Sequence, residues 1–233
     1  MVPEELIIVD TPLGEGRLRW RQPSGETRAV LLLGHGAGGQ LDAVDLARLS
    51  ASLPDHGVAV VRFEQPWKVA GRRIAGPAPQ LDLAFRAALA EVRRRLPGVP
   101  VVTGGRSQGA RIACRTADDR GSEGETVDPV AGVLCLAFPL HPPGRPENSR
   151  LEELLTPDQP VLVCQGSRDT FGTADDITAQ TADAVNVTVV DMPGADHAMR
   201  RRKSDPLTGT QLAERLVDAV LAFLPAVGAA QAQ

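Results

Sequence analysis

A serine, an aspartate and a histidine stand in this chain at positions that suit nucleophilic catalysis. The serine is Ser107, at the centre of Gly105–Gly109, which follows an apolar run at 99–102 and precedes a helix-compatible segment at 110–117. In a strand–turn–helix context the pattern G-x-S-x-G forms a tight turn that lifts the serine hydroxyl above the sheet. The flanking glycines let the strand and the helix pass close together because neither carries a Cβ. The pattern therefore predicts that Ser107 is a nucleophile.

Asp169 and His197 follow the serine in that order, each shortly after an apolar run, at 161–164 and at 187–190. A serine hydroxyl is a weak nucleophile at neutral pH, so it needs a neighbouring base. His197 would take the hydroxyl proton, and Asp169 would fix the imidazole tautomer and stabilise the imidazolium. The order serine, acid, histidine also differs from the orders found in the two well-known types of serine protease.

Other carboxylates and histidines suit these roles less well. Asp196 is adjacent to the favoured histidine and would point elsewhere, and Glu147 lies far from the nearest predicted strand end. We expect His35, in a glycine-rich turn, to be a structural hydrogen-bonding residue, and His56, at a helix end, to be solvated. The acid and base named above are therefore preferred.

Four glycines within residues 34–39 follow the apolar run at 29–33. Such a turn leaves backbone N–H groups free to point into a cavity, which an oxyanion hole requires. We expect the donors to be the N–H groups of Ala37 and of Gln108, the residue after the serine. The same turn could instead hold dinucleotide phosphates, but its spacing does not match G-x-G-x-x-G and no G-K-[ST] accompanies it. The sequence therefore predicts no nucleotide cofactor.

The elements that must position these residues alternate between strand and helix. Continuous apolar strands separated by helices are typical of a mostly parallel sheet covered on both faces. The predicted strands, of which the first two form an antiparallel pair, are 6–9, 17–21, 29–33, 58–62, 99–103, 130–136, 161–165 and 187–190. The predicted helices are 42–53, 80–96, 110–117, 174–184 and 209–223. We expect one α/β domain over residues 1–225 and a disordered tail at 226–233.

The composition favours an ordinary globular protein and gives no sign of a large charged or membrane-bound partner. The 233 residues carry a net charge of −4, and no apolar run approaches the length of a membrane span. The first ten residues lack signal-peptide architecture. Cys114, Cys135 and Cys164 fall in predicted buried elements and match no metal-binding spacing. We therefore expect a cytoplasmic protein with buried free thiols and no metal, and neither nucleic acid nor membrane as a partner.

Two loops at the carboxyl ends of predicted strands are candidates for the pocket walls, because open α/β sheets bind ligands there. The loop at 64–79 carries Trp67, Arg72 and Arg73, and the loop at 138–149 carries His141. Together with Phe171, residues Trp67, Arg72 and His141 are the candidate substrate contacts. Basic residues lie in the first of these loops, at Arg72 and Arg73, and in the run at 200–203. If they line the mouth of the pocket, they would favour an anionic substrate. The alternative is that they are solvated surface charges.

The motifs together resemble those of serine α/β-hydrolases of the dienelactone-hydrolase-like type. The chain is most similar to a branch of small hydrolase-like proteins that includes eukaryotic testis-expressed proteins and a subunit of the nonspecific-lethal chromatin complex. The matching segments are 33–38, 58–63 with 71–73, 104–111, 138–144, 165–172 and 194–197. The resemblance implies an α/β-hydrolase fold without a large cap and a Ser–His–Asp triad, but no particular substrate. Gln108 departs from the methionine more usual after the serine, although its backbone N–H is unaffected.

The sequence thus predicts a metal-independent serine hydrolase without a cofactor. Its expected substrate is a small ester and its expected activity that of a carboxylesterase, with a thioester or an amide as alternatives. A non-catalytic interaction protein built on the same fold is the second hypothesis. A complete set of serine, acid, base and glycine-rich turn favours the enzyme. Nothing in the sequence indicates an oligomeric state.

Overall fold

A computed structural model describes residues 3–118, 129–205 and 207–230, with side chains described up to residue 224. Eight strands form a single sheet. The strands are β1 (Glu5–Thr11), β2 (Gly14–Arg21), β3 (Ala29–Gly34), β4 (Val58–Glu64), β5 (Val101–Arg106), β6 (Gly132–Leu136), β7 (Val161–Gly166) and β8 (Val187–Met192). The helices are α1 (Val44–Ser52), α2 (Pro66–Val69), α3 (Ala78–Arg95), α4 (Gln108–Thr116), α5 (Leu151–Leu154), α6 (Ala174–Gln180) and α7 (Gly209–Ala230).

The strand order in the sheet is β1-β2-β4-β3-β5-β6-β7-β8. The pairs β1–β2 and β2–β4 are antiparallel, and every pair from β4 through β8 is parallel. All residues of the central strands β6 and β7 are buried, whereas alternate residues of the edge strand β1 are exposed. Strands covered on both faces need apolar side chains throughout, which accounts for the continuous apolar runs in the sequence.

Two hydrophobic clusters lie on opposite faces of the sheet. Alternate residues of β3 enter them: Val30 and Leu32 join the cluster that packs on α3 and α4, while Leu31 and Leu33 join the one that packs on α1 and α7. This division follows from the two-residue period of a strand. The expected mostly parallel sheet with helices on both faces and no large cap is thereby confirmed.

The ends of several elements differ from the predictions. Helices α2 and α5 were not predicted because four residues are too few to show a helical period. Helix α6 ends at Gln180, where the sequence predicts a helix to 184. Helix α7 continues past its predicted end at residue 223, as far as Ala230. Residues 231–233 lie outside those described.

The three cysteines are buried and free, as predicted. The Sγ atoms of Cys114, in α4, and Cys135, in β6, are 3.4 Å apart. Burial raises the pKa of Cys164 to about 12, and the hydrogen bond with Cys114 together with burial raises the pKa of Cys135. Within the described part of the chain, no helix is both long enough and apolar enough to cross a membrane.

Candidate active site

Ser107 stands alone between the end of β5 and the start of α4, and its backbone is strained. Its φ of 52° and ψ of −111° form a conformation that residues with a side chain rarely adopt. Its N–H donates a hydrogen bond to the carbonyl of Leu136 at 2.9 Å, which ties the turn to the neighbouring strand β6. Strain of this kind persists only where the surrounding structure enforces it, and it is concentrated at functional sites.

Three glycines make this turn possible at the crossing of β3, β5 and α4. A Cβ on Gly105 would lie 2.6 Å from the carbonyl oxygen of Gly34 and from the carbonyl carbon of Gly109. A Cβ on Gly109 would lie 2.6 Å from the carbonyl carbon of Gly34. Real Cβ atoms do not approach backbone this closely, so the spacing of glycines around the serine is a packing requirement.

The three residues predicted to form a triad are joined by hydrogen bonds. The Ser107 hydroxyl lies 2.9 Å from Nε2 of His197, and Nδ1 of His197 lies 2.8 Å from Oδ2 of Asp169. A carboxylate can only accept, so Nδ1 carries a proton and donates it to Asp169, which leaves Nε2 to accept from the serine. This is the tautomer that a general base for Ser107 requires.

Asp169 is held in place by donors on both carboxylate oxygens. Oδ1 accepts from the backbone N–H of Phe171 at 2.8 Å, and Oδ2 accepts from Nε2 of Gln165 at 3.1 Å as well as from the histidine. The Asp169 side chain is fully buried, so these hydrogen bonds replace water around the charge. Sequence reasoning missed Gln165. Its signal was a polar residue at the end of a buried apolar strand.

The imidazole of His197 is also fixed by packing. The ring of Phe171 stacks on it with centroids 4.1 Å apart and planes inclined by 28°. The guanidinium of Arg106 donates a hydrogen bond to the backbone carbonyl of His197. Asp196, the rejected acid, accepts from the N–H groups of Ala198 and Arg200 through Oδ1 and so shapes the turn.

Arg106 forms a buried ion pair with Asp45, at the start of α1. Its Nε lies 3.0 Å from Oδ2 of Asp45, whose side chain is fully buried. Burial raises the pKa of the Asp45 carboxyl, and the positive charge of Arg106 opposes that rise. This pair could not be predicted from the sequence, because the two residues are far apart in the chain and no motif contains both of them.

His35 is a structural residue, as expected, and lies in the glycine-rich turn. Its Nε2 accepts the N–H of Gln65 at 3.2 Å, and its Nδ1 donates to the carbonyl of Gly36 at 2.8 Å. Burial lowers its pKa and therefore favours the neutral ring. His56 is exposed, also as expected.

A cavity of about 340 Å³ opens beside the serine. Its walls are formed by Gly36, Ala37, Gly38, Gln40, Arg106, Ser107, Gln108, Arg111, Pro139, Arg150, Phe171 and His197. Ala37 and Gln108, the expected oxyanion donors, thus lie at the same cavity as the nucleophile. A Cβ on Gly36 would be 3.6 Å from the Cβ of Ser107, so the glycine-rich turn passes directly against the serine.

Of the four expected substrate contacts, only Phe171 lines this cavity. Trp67 instead lies in the core, because α2 turns its indole inward, where it packs edge-on against His35 with ring centroids 5.6 Å apart. Arg72 is exposed on the loop after α2. Nδ1 of His141 donates a hydrogen bond to the carbonyl of Pro142 in its own loop at 3.0 Å, and the backbone N–H of His141 donates to the carbonyl of Phe171. The structure thus does not bring the side chains of these three residues to the cavity beside Ser107.

No group of three or more histidine, cysteine, aspartate or glutamate side chains could hold a metal ion in the part of the chain that the structure describes. The groups gathered at the cavity are instead a hydroxyl, an imidazole and backbone amides. These groups can perform nucleophilic attack, proton transfer and stabilisation of an oxyanion.

Comparison with solved structures finds proteins of the same fold. Among solved structures, the chain is similar to an alpha-beta serine hydrolase homologue from Coxiella burnetii, with 21% identity, a TM-score of 0.73 and coverage of 94% of this chain and 98% of that one. A serine hydrolase without a lid from Xanthomonas campestris gives 20% identity, a TM-score of 0.70 and coverage of 96% and 97%. Est1E from Butyrivibrio proteoclasticus has 17% identity and a TM-score of 0.73, with coverage of 96% of this chain and 99% of that one.

The sequence itself matches a family model described as an alpha/beta hydrolase domain over residues 27–225. This stretch includes every element from β3 to most of α7, and with them the serine, the acid and the histidine. The chain therefore belongs to the α/β-hydrolase family.

Proposed function

We propose that this protein is a serine carboxylesterase that cleaves small esters through an acyl-enzyme intermediate. The observation that carries the proposal is the continuous hydrogen-bonded chain from Ser107 through His197 to Asp169, with both distances below 3 Å. A strained turn holds its nucleophile, and a cavity with backbone amides lies beside it. A scaffold without catalysis would have no physical need for these features together.

In the proposed reaction, the Ser107 oxygen attacks the ester carbonyl while Nε2 of His197 takes the hydroxyl proton. The tetrahedral oxyanion is held by the N–H groups of Ala37 and Gln108. As the C–O bond to the alcohol breaks, His197 returns its proton to the leaving oxygen. Water, deprotonated by His197, then attacks the acyl-serine ester, and the carboxylic acid leaves as Ser107 recovers its proton. Asp169 holds the imidazole throughout and stabilises its protonated form.

Esters are the first substrates to test, with thioesters and amides as the alternatives. Proteins of similar fold are named Est1E, an esterase domain from Rhodothermus marinus and an esterase from Pyrococcus furiosus. Est1E has been solved with ferulic acid bound, which is a small carboxylic acid. A cavity of about 340 Å³ suits a small acyl or alcohol group.

The finer proposal is that the chain lies in the branch of testis-expressed and chromatin-complex hydrolase-like proteins. Its support is the run of motifs from residue 33 to residue 197. Because that branch includes a subunit of a complex, the rival function is a non-catalytic interaction protein. The two functions differ in whether the serine is chemically activated.

Labelling with a fluorophosphonate probe separates the two functions. We expect the wild type to be labelled and Ser107→Ala and His197→Ala to remain unlabelled, while His56→Ala, which changes an exposed histidine, is labelled like the wild type. A panel of short-chain nitrophenyl esters, thioesters and anilides then gives the bond that is cleaved. A folded wild type that neither takes up the probe nor hydrolyses any of these would refute the proposed enzyme.

A further inference from the structure

The cavity beside Ser107 is lined by more positive charge than the carboxylates of the described residues neutralise. Three arginines line it, and no aspartate or glutamate is among its lining residues. Arg106 is paired with Asp45, and Arg111 makes a two-point contact with Glu153, at 2.6 and 2.9 Å. The third arginine is Arg150.

Arg150 has no carboxylate within ion-pair distance among the described residues. The hydrogen bond of its guanidinium goes to a neutral acceptor, the carbonyl of Pro139, at 2.9 Å. The charge of Glu153 acts to raise the pKa of Arg150, but Glu153 already accepts hydrogen bonds from both Arg111 and Arg115. Burial and the like charge of Arg111 lower the pKa of Arg150. A guanidinium nevertheless keeps its proton at neutral pH.

A charge count of the surrounding cluster gives the same result. Arg115 bridges Asp82 and Glu153, so two carboxylates face three arginines: Arg111, Arg115 and Arg150. The cluster carries one surplus positive charge, which lies at the cavity wall. A partly buried cation without a charged partner is costly, and an anion bound from solution would relieve that cost.

We propose that Arg150 binds a carboxylate carried by the substrate, so that the preferred substrates are esters with a free carboxylate, such as monoesters of dicarboxylic acids. This inference rests on the proposed esterase function and names its substrate class. A planar guanidinium presents two parallel N–H donors that match the two oxygens of a carboxylate. The single surplus charge matches a monoanion.

The guanidinium is held ready for this role. The backbone of Arg150 is fixed where α5 begins: its N–H donates to the carbonyl of Leu140 at 2.7 Å, and its carbonyl accepts the N–H of Glu153 at 3.1 Å. The Pro139 carbonyl then holds the side-chain tip beside the cavity. Little freedom remains to be lost on binding, which favours affinity.

The test compares the release of nitrophenol from 4-nitrophenyl hydrogen adipate, whose distal carboxylate is free, and from 4-nitrophenyl methyl adipate, in which that carboxylate is masked as a neutral methyl ester. We expect the wild type to favour the anionic ester at least about tenfold in kcat/KM, the effect of one charged hydrogen-bonded contact. In Arg150→Gln the ratio should fall to about one, and in Arg150→Lys it should be intermediate. Arg145→Gln, an exposed change in the same loop, should retain the wild-type ratio.

The outcomes separate this inference from the proposed function. A wild type that hydrolyses both esters equally, or an Arg150→Gln variant that keeps the preference, would overturn the carboxylate site and leave the esterase intact. A structural role for Arg150 alone would lower both rates equally, which would also overturn it. If no ester is hydrolysed, titration calorimetry with monomethyl adipate tests the site by itself. Tighter binding to wild type than to Arg150→Gln would then support it, and equal binding would refute it.

Discussion

Arg106 and His197 are directly joined: the guanidinium of Arg106, the residue before Ser107, donates a hydrogen bond to the backbone carbonyl of His197. The same guanidinium is paired with buried Asp45 on α1. One side chain thus connects the strand that carries the serine, the loop that carries the base and a helix on the face of the sheet. The Arg106 side chain therefore supports the position of His197 relative to Ser107.

Replacing Arg106 should make stability depend on pH. Arg106→Gln leaves Asp45 buried without its partner, which we expect to cost about 3–5 kcal/mol at neutral pH. Burial raises the folded-state pKa of Asp45 above its unfolded value, and removing the arginine raises it further. Folding therefore favours the protonated form of Asp45. Its contribution to the free energy of unfolding is complete at pH values below the pKa of Asp45 in the unfolded chain, and it is lost as the pH rises through the pKa in the folded protein.

The measurement is urea unfolding of the wild type and Arg106→Gln at about pH 4 and about pH 8, on either side of the expected window. The deficit of the variant should be larger at the higher pH. In the double variant Arg106→Gln with Asp45→Asn, residue 45 cannot ionise, so the deficit in the free energy of unfolding should no longer increase with pH. A deficit that is the same at both pH values would contradict the prediction.

Two substitutions at Ser107 should abolish activity equally and yet differ in stability. Ser107→Ala and Ser107→Gly both remove the nucleophile, which should lower kcat by several powers of ten. Alanine keeps the strain at a φ of 52°, whereas glycine adopts this conformation freely. The glycine variant is relieved of about 1–3 kcal/mol of backbone strain. This gain should exceed the loss of about 0.4–1 kcal/mol in folding stability that glycine causes by giving the unfolded chain more conformational freedom.

We therefore expect the glycine variant to be more stable than the alanine variant by about 1 kcal/mol in chemical denaturation. Equal stability of the two would mean that the turn imposes no strain on this residue. Fluorophosphonate labelling checks that both lack the nucleophile.

Gly109 should not tolerate even one methyl group. The Cβ of Gly109→Ala would be 2.6 Å from the carbonyl carbon of Gly34, and neither backbone can move without displacing a strand. We expect a loss of about 3 kcal/mol in the free energy of unfolding and a large loss of activity as the turn shifts. Gly25→Ala, where a Cβ meets nothing within 4 Å, is the matched control and should change little. Thermal and urea unfolding measure both, and a stable Gly109→Ala would argue against the close crossing.

Asp169→Asn should lower kcat by about 10⁴-fold while the protein remains folded. The neutral amide cannot stabilise the imidazolium, and its N–H₂ group favours the wrong tautomer of His197. Asp175→Asn, an exposed change at the start of α6, should retain wild-type kcat. Steady-state kinetics with one nitrophenyl ester compares the variants. A rise in KM with unchanged kcat would instead indicate that Asp169 acts in substrate binding, and it would contradict a role in orienting His197.

The sequence was most informative where local pattern and chemistry coincide. Ser107, Asp169 and His197 each follow a predicted strand, and parallel strands bring their carboxyl ends to one edge of a sheet, so their proximity was predictable. Trp67 was expected at a pocket wall because a tryptophan in a predicted loop suggests that role, but it does not line the cavity beside Ser107. The short helix α2, too brief to show a period, turns the ring into the core.

Partners distant in sequence were not predictable. Asp45 meets Arg106, and Arg150 comes to the cavity near Arg111, only because the chain folds. A single residue in a loop is not part of a periodic pattern, so the sequence does not indicate which residues it contacts in the folded protein. Arg72, the arginine named from the sequence as a candidate substrate contact, is not among the residues that line the cavity.

The burial of the three thiols has a practical chemical meaning. Every cysteine of the chain lies inside the protein, away from reagents in solvent. The pKa values of Cys135 and Cys164 are raised as well, so these two thiols form little thiolate at neutral pH. Alkylating agents and mild oxidants should therefore leave the folded enzyme untouched. A cysteine introduced at a solvent-facing position such as Val185 would be the one reactive sulfur, which allows a dye or a surface tether to be attached at a single chosen point.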